Sequence, residues 1–534
     1  MRTQFSPAMM TALTLAAAVL FSGTALRAET VSRGPYLQSP TKNSIVVVWE
    51  HPTPAAPVLR WGLSSDMSEQ VVPAEHSVRH EILLEGLQPG EIYYYALHDG
   101  EETFLTEMAA FPTAVESGTP FRFLLYGDTR TRHDIHATVV EAMLKEPDLR
   151  FYVHTGDLVS RGAKLEQWDT FFEIEHHLMR RTPFYPVIGN HEEHDGIAPL
   201  FEANFVLPDN SPDPGYYYSF VYGNVHIQVL DGHVHSHDWD WCVMERHQFT
   251  NTCFSDNQLE WLHEDLRVAA QNPDVDHIIV VTHVGPYSSK ENRRGSGQMR
   301  ELLPFFREMG VDFIVSGHDH YYERGISGNG IPYVITGGGG APLYDIGAPS
   351  PDPHEVIYNE MIENYLLVDV EGPLMHVVAK TPGGRIMDEF TIDSTPECTA
   401  DEECEIPDAT PECPLPEVFC SLGGRCSVRC LEEDPGDPVV PDEDPREADV
   451  VAPPAEDVAE PPHDDPPAED VAEPPHDDPP AVKPPEAGPP AAEGGGGCSS
   501  AQLAERGPAA TGFVLLLLVS VVLVARRRGS LFVG

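Results

Sequence analysis

The stretch FRFLLYGDTR at 121–130 begins as an apolar run typical of a buried strand and stops at a glycine-aspartate pair. Helix-type segments follow at 134–146 and, farther on, at 255–271, the second with Ser255 as its predicted N-cap. Four later stretches repeat the apolar run that ends in a polar cluster: LRFYVHTGDLV (149–159), FYPVIGNHEE (184–193), HIIVVTHVGPY (277–287) and VDFIVSGHDHYY (311–322). Buried strands that alternate with helices predict an α/β fold.

The polar clusters at the ends of these runs carry the candidate functional residues. Ligands of α/β folds bind beyond the carboxyl ends of the strands, so we expect the clusters to converge on one site. Taken one at a time, such residues are more often turn residues, helix caps or core histidines. Together they supply Asp128, Asp157, Asn190, His191, His283, His318 and His320. These carboxylate, amide and imidazole donors suit two divalent or trivalent transition metal ions (Fe, Mn or Zn), which would share a bridging carboxylate.

In order and spacing, the five motifs resemble those of the calcineurin-like metallophosphoesterases. The matching letters are GD (127–128), GDLV (156–159), GNHEE (189–193), THVGPY (282–287) and GHDHYYER (317–324). The resemblance covers roughly 30–393 and is strongest to the purple acid phosphatase branch, because a small β-sandwich is predicted before the motifs. It implies a metallophosphoesterase β-sandwich flanked by helices over 120–393.

The β-sandwich predicted at 30–115 resembles a fibronectin type III-like module. Trp49 ends a strand-type run, and Leu87, Pro89 and Tyr93 have the spacing of a tyrosine corner. Another kind of β-sandwich is the alternative, and both give this region a supporting role.

The family resemblance also implies a role for each matched residue. It implies six metal ligands: Asp128 and His320 for the first metal, Asp157 as the bridge, and Asn190, His283 and His318 for the second metal. His191 would instead be catalytic, facing the substrate phosphate and protonating or stabilising the leaving oxygen.

Arg130 departs from the family pattern. Many members have a histidine ligand two residues after the first aspartate. Purple acid phosphatases instead have a tyrosine ligand three residues after the bridging aspartate, where this chain has Ser160. Arginine has no lone pair to offer, so the first metal is one protein ligand short and no purple colour is expected. Three interpretations stay open: water, His133 or His136 completes the site; Arg130 is a catalytic residue that binds the substrate phosphate; or the first site binds metal weakly.

Three further segments could lie near the site. Basic residues after the fourth motif could contact phosphate or belong to a solvated loop; they are Lys290, Arg293 and Arg294. Histidines in a predicted insertion could form a third metal site or an exposed rim; they are His233, His235 and His237. The glycine-rich TGGGGAPL at 336–343 predicts close backbone approach rather than a nucleotide-binding loop.

The two ends of the chain predict export and anchoring. Residues 1–28 have the positive start, apolar stretch and small residues of a signal peptide. The uncharged segment 509–525 precedes RRR at 526–528, which predicts a membrane span with the body outside. The whole segment 498–534 resembles the C-terminal sorting tail of myxobacterial surface proteins, which implies processing near Cys498. A permanent tail anchor is the alternative.

Between the predicted enzyme domain and the tail lie two segments of unusual composition. The segment 396–431 is predicted to be a small disulfide-linked unit; its cysteines are Cys398, Cys404, Cys413, Cys420, Cys426 and Cys430. Cys242 and Cys253 could close a loop in the main domain. The proline-rich acidic segment 432–497 contains a 13-residue unit twice in tandem and predicts a disordered stalk.

Charge and motifs together predict the function. The chain has 85 acidic residues against 33 basic ones, which argues against nucleic-acid binding. We expect an exported, surface-anchored phosphoesterase that hydrolyses phosphate monoesters by a metal-activated hydroxide. Its partners would be a phosphorylated small-molecule or surface substrate and, through the C-terminal segment, a membrane; nothing in the sequence specifies an oligomeric state. The alternatives are a nucleotidase or phosphodiesterase on the same fold, and a degenerate, non-catalytic surface-binding protein.

Overall fold

The computed structural model of the chain describes five stretches of residues: 31–100, 103–193, 198–232, 253–405 and 416–430. The predicted signal peptide, stalk and C-terminal span lie outside them, as do the histidines of the predicted insertion, Cys242 and Cys413. Within these stretches, no helix is both long enough and apolar enough to cross a membrane.

The N-terminal part is a pair of antiparallel sheets packed face to face. Its strands are β1 (Arg33–Gln38), β2 (Ser44–Ala55), β3 (Val58–Gly62), β4 (Glu69–Val71), β5 (Ser77–Glu85), β6 (Ile92–His98) and β7 (Ala109–Pro112). One sheet has the order β1-β2-β5 and the other β4-β3-β6-β7, and one apolar cluster that includes Trp49 and Phe111 joins them. The backbone N–H of Gln88 donates to the Tyr93 hydroxyl at 2.9 Å, as expected of a tyrosine corner.

The main part is a two-sheet sandwich with helices outside. Its elements are β8 (Phe121–Tyr126), α1 (His133–Met143), β9 (Leu149–His154), α2 (Leu165–Met179), β10 (Phe184–Pro186), α3 (Pro199–Asn204), β11 (Tyr218–Tyr222), β12 (Val225–Leu230), α4 (Asp256–Ala270), β13 (His277–Thr282), α5 (Gly297–Glu308), β14 (Val311–Ser316), β15 (Tyr322–Ser327), β16 (Pro332–Thr336), β17 (His354–Glu360), β18 (Tyr365–Glu371), β19 (Leu374–Lys380) and β20 (Ile386–Asp393). The sheet orders are β10-β9-β8-β18-β19-β20 and β11-β12-β13-β14-β16-β15-β17. The predicted fold class is therefore confirmed.

Both faces of the central strands are buried, which explains their unbroken apolar runs. In β8, Phe123 and Leu125 face the core between the two sheets, whereas Leu124 and Tyr126 face the cluster under α1 and α2. Side chains alternate across a strand, so a strand covered on both sides needs apolar residues at every position. Tyr36 of β1 belongs to the same helix-side cluster, so the N-terminal sheet also packs there.

Parallel pairing brings the strand ends together. β8, β9 and β10 run parallel to one another, as do β12, β13 and β14. Their carboxyl ends therefore lie along one edge of each sheet, and the loops that carry the predicted site residues leave from these edges.

The cysteine-rich segment forms a hairpin of β21 (Pro416–Cys420) and β22 (Cys426–Cys430), preceded by a 3₁₀ turn at Asp401–Glu403. Disulfides join Cys398 to Cys420 and Cys404 to Cys426. Cys253 of the main part is also disulfide-bonded. The hairpin is attached to the sandwich, because the buried Arg425 side chain pairs with Asp312 of β14.

Candidate metal centre

Five loops bring the predicted site residues to one place. Asp128, Asp157 and Asn190 follow β8, β9 and β10 of one sheet. His283 follows β13 and His318 follows β14 of the other sheet. Three of these residues have a left-handed backbone, with φ of 59° at Asp128, 58° at Asp157 and 66° at His318. Side-chain-bearing residues adopt this conformation at a cost, and it is concentrated at functional sites.

Asp128, Asp157 and His320 form the first of two donor clusters. One potential ligand atom from each lies within 4.8 Å of the others. The His320 Nε2 atom is 3.3 Å from Asp128 Oδ1, and all three side chains are almost completely buried. Two carboxylates and an imidazole at this separation can share one cation.

The second donor cluster is centred on the Nε2 atom of His283. This atom lies 3.2 Å from each of Asp157 Oδ1, Asn190 Oδ1 and His318 Nδ1. Because Asp157 directs Oδ1 to this cluster and also belongs to the first cluster, it stands between the two. That position matches the bridging role implied by the family resemblance.

Backbone carbonyls orient three of the histidines. His283 Nδ1 is 2.8 Å from the Thr155 carbonyl, and His320 Nδ1 is 2.6 Å from the Pro342 carbonyl. A carbonyl only accepts hydrogen bonds, so each Nδ1 carries a proton, and each Nε2 can offer its lone pair to a metal that displaces any proton bound there. His191 is held in the same way, with Nδ1 2.7 Å from the Ser160 carbonyl.

The charges in the centre favour a cation. Burial by itself lowers the pKa of His283, but the neighbouring Asp157 carboxylate outweighs it and raises the pKa to about 9. Burial likewise raises the pKa of Asp157, but His283, His191 and Arg130 hold it well below its ordinary value. Buried carboxylates and correctly oriented imidazoles are the donors that transition metals require, so the residues present fit two such ions.

Arg130 points into the first cluster. Its Nε atom donates to Asp157 Oδ2 at 3.1 Å, and its Nη2 atom is 3.4 Å from His320 Nε2. His136, one of the residues considered for the missing ligand, is 2.8 Å from Glu175 Oε1 in a separate buried cluster. His133 begins α1 and is exposed. The arginine therefore brings a fixed positive charge beside the first metal position.

Two residues near the centre were not predicted from the sequence. Glu192 is buried and accepts hydrogen bonds from the backbone N–H groups of Asp157, Val159 and Gly189. Tyr344 stacks on the His320 ring with centroids 3.9 Å apart. Glu192 lies inside the GNHEE motif, but its role depends on backbone contacts that residue type does not reveal. Tyr344 had no sequence signal beyond its place after the glycine-rich loop.

The glycine-rich loop makes the predicted close backbone approach. A Cβ atom on Gly337 would lie 2.3 Å from the Asp319 carbonyl oxygen. One on Gly339 would lie 2.3 Å from the carbonyl oxygen of Gly127, next to Asp128. The glycine-rich loop therefore packs directly against the loops that carry the predicted metal ligands.

Comparison with known proteins identifies the family to which the main part of the chain is similar. Residues 121–322 match the calcineurin-like phosphoesterase family. An uncharacterized protein of Mycobacterium tuberculosis is 27% identical over 270 residues, which are 45% of this chain and 49% of the relative. Purple acid phosphatase 23 of Arabidopsis thaliana is 25% identical over 283 residues, 46% of this chain and 57% of the relative. The chain thus spans about half the length of these relatives.

A solved structure shares the fold more widely. The purple acid phosphatase isolated from yellow lupin (Lupinus luteus) seeds superposes with a TM-score of 0.56 at 18% identity, covering 68% of this chain and 74% of that one. Family match, relatives and fold agree, and the chain contains a calcineurin-like metallophosphoesterase domain with purple acid phosphatase homologues.

Proposed function

We propose that the protein is an exported, surface-anchored phosphoesterase that hydrolyses phosphate monoesters and depends on two transition metal ions. The observation that carries this proposal is the convergence of the two donor clusters on Asp157. Its Oδ1 atom faces His283 at 3.2 Å, while its Oδ2 atom faces Arg130 at 3.1 Å. A pair of ions held by these clusters would neutralise phosphoryl charge and activate a water for attack on phosphorus.

The chain's own residues would then complete the reaction. The Arg130 guanidinium, which stays charged at all relevant pH values, would bind a phosphoryl oxygen beside the first cluster. His191 would act as the acid in its doubly protonated form, in which Nδ1 donates to the Ser160 carbonyl and the Nε2 N–H faces the site, 3.9 Å from Asp157 Oδ2. As the bond from phosphorus to a water oxygen forms and the bond to the leaving oxygen breaks, Nε2 would deliver a proton to that oxygen.

The test measures metal content and ester hydrolysis in the full chain. We expect about two metal ions per chain and turnover of p-nitrophenyl phosphate. Asp157→Asn should lose most of the metal and at least about a thousandfold of the activity, since the bridge is removed. Arg130→Ala should keep its metal but raise KM about tenfold, because one charge-assisted contact to phosphate is lost.

The matched control is Asp134→Asn, which removes an exposed acidic group on α1 and should change neither quantity. Faster turnover of bis(p-nitrophenyl) phosphate than of the monoester would favour the phosphodiesterase alternative. A chain that binds no Mn, Fe or Zn and cleaves neither ester would overturn the enzyme proposal and favour a surface-binding protein.

Export and anchoring belong to the same proposal. They are supported by the sequence of the two termini and by the Cys398–Cys420 and Cys404–Cys426 disulfides, which suit an oxidising compartment. We expect phosphatase activity on intact cells, and its release when protease is added outside. Activity found only after lysis would contradict this part of the proposal and leave the chemistry untouched.

A further inference from the structure

The neighbouring basic residues Lys290, Arg293 and Arg294 differ in whether they form an ion pair. Arg293 Nη1 lies 2.5 Å from Asp319 Oδ1, and Arg294 Nη2 lies 2.9 Å from Asp352 Oδ1. Lys290 forms no ion pair in the part of the chain that the structure describes, although its side chain is half-buried and the charge of Asp319 acts on it. In a chain with 85 acidic residues against 33 basic ones, a half-buried ammonium outside any ion pair keeps its charge available to bind an anion.

The Tyr344 ring connects Lys290 to the metal centre. His320 stacks on this ring at 3.9 Å with an interplanar angle of 18°, and Lys290 Nζ lies 3.4 Å from the ring centroid. The two groups are too close to the ring to share one face, so the tyrosine is held between them. The ammonium therefore lies one aromatic ring away from a predicted metal ligand.

Backbone contacts hold this arrangement in place. Lys290 forms an antiparallel bridge with Ile346, and the Gly347 N–H donates to the Ser289 carbonyl at 2.6 Å. The Tyr344 N–H donates to the His320 carbonyl at 3.0 Å. The loop that carries Lys290 is thus bonded to the loop that carries Tyr344, and that second loop is bonded to His320 of the site, which favours a defined binding role over a solvated loop.

We propose that Lys290 forms an anion subsite beside the metal centre, next to the phosphate contact made by Arg130, and that this subsite binds a second phosphoryl group of the substrate. This inference rests on the proposed phosphoesterase function and deepens it. The preferred substrates would be phosphate compounds whose leaving group is itself phosphorylated, such as pyrophosphate and other diphosphates. Arg130 lies on the side of the cleaved phosphate, next to Asp157, and Lys290 lies farther out on the far face of Tyr344.

The surroundings of Lys290 leave its charge only partly compensated. Burial and the nearby charge of Arg293 lower the pKa of Lys290 to about 8, against the opposing effect of the Asp319 carboxylate. A phosphoryl group beside the ammonium would offset both effects, since an opposite charge favours the protonated form.

The experiment compares Lys290→Met with the parent as full chains loaded with metal. Methionine keeps an unbranched side chain over the Tyr344 ring and removes only the charge. We expect kcat/KM for pyrophosphate to fall roughly ten- to a hundredfold, and kcat/KM for p-nitrophenyl phosphate, whose leaving group is uncharged, to change less than about twofold. Lys145→Met, at an exposed position after α1, is the control and should change neither value.

A binding measurement tests the subsite without relying on turnover. By calorimetry, methylenediphosphonate should bind more tightly than methylphosphonate to the parent, and Lys290→Met should remove most of that difference. An equal loss on both substrates, or no loss on either, would overturn the subsite. If no ester is cleaved, the proposed function fails, and the calorimetric comparison alone then supports or overturns the subsite.

Discussion

Glu192 shows how one buried carboxyl group can organise a site without touching a metal. Its Oε2 atom accepts from the N–H groups of Asp157 at 3.0 Å and Gly189 at 2.8 Å, and its Oε1 atom accepts from Val159 at 3.1 Å. These bonds join the loop after β9, which carries the bridging aspartate, to the loop after β10, which carries Asn190. The distance between the two ligands therefore depends on a residue that binds neither metal.

Glu192→Gln tests this role at the residue scale. The amide would place an NH₂ group against a backbone N–H, leaving a buried donor unsatisfied. We expect the free energy of unfolding to fall by about 1–3 kcal/mol. Metal affinity should fall about 10- to 100-fold, as for other residues that orient ligands.

Chemical denaturation and metal titration measure the two effects. Glu141→Gln on the exposed face of α1 is the control and should leave both unchanged. A Glu192→Gln variant with parental metal affinity would show that the loops keep their spacing without this carboxyl group.

At the scale of elements, the metal centre is built where loops from two sheets meet a glycine-rich loop. The Gly339 N–H donates to the Gly127 carbonyl at 2.8 Å, so the loop after β16 lies directly against the loop after β8. There is no room for a side chain between them. Strand order explains the contact, because β8 and β16 belong to different sheets that face each other across the core.

Gly339→Ala should push the two loops apart. The new Cβ atom would lie 2.3 Å from the Gly127 carbonyl oxygen, so the backbone beside Asp128 must move. We expect a loss of about 1–3 kcal/mol in stability and a weaker first metal site, measured by thermal unfolding and metal titration. Gly383→Ala, where the nearest atom is 3.7 Å away, is the control. Equal thermal stability and metal affinity of the two variants would mean that the contact between Gly339 and Gly127 determines neither quantity.

At the scale of the whole molecule, a buried polar cluster closes the edge of the sandwich opposite the metal centre. His277 begins β13 and is fully buried, with Nε2 3.0 Å from the Gly372 carbonyl and Nδ1 4.0 Å from Asp312 Oδ2. Asp312 in turn pairs with Arg425 of the disulfide-linked hairpin. The cluster therefore joins both sheets and the hairpin.

Within this cluster, His277 by itself makes the fold sensitive to acid. Burial lowers the pKa of His277 to about 4, against about 6.5 in an unfolded chain. Between these two pH values, His277 binds a proton in the unfolded chain but stays neutral in the folded protein. The free energy of unfolding is therefore not reduced by His277 above about pH 6.5. As the pH falls towards 4, it decreases by up to about 3 kcal/mol. Burial raises the pKa of Asp312 to about 6, so protonation of this carboxyl group increases the free energy of unfolding as the pH falls over part of the same range.

His277→Gln should isolate the histidine, since glutamine can still donate to Gly372 but does not titrate. The difference in unfolding free energy between parent and variant should shrink as the pH is lowered from 7 to 4, with Asp312 common to both. Metal content should be unchanged, because the cluster lies at the far edge. A difference that is constant with pH would contradict the assigned proton uptake.

The sequence by itself determined the alternation of strands and helices and the positions of the candidate ligands. Both depend on local signals: apolar runs such as 121–126, which must be covered on both faces, and polar residues at the points where those runs end. Only the tertiary structure showed that Arg130 contacts Asp157 and His320, that Glu192 joins two loops, and that Tyr344 lies between His320 and Lys290. These contacts join residues distant in the chain, and the pairing of strands from two sheets, which no local pattern specifies, brings them together.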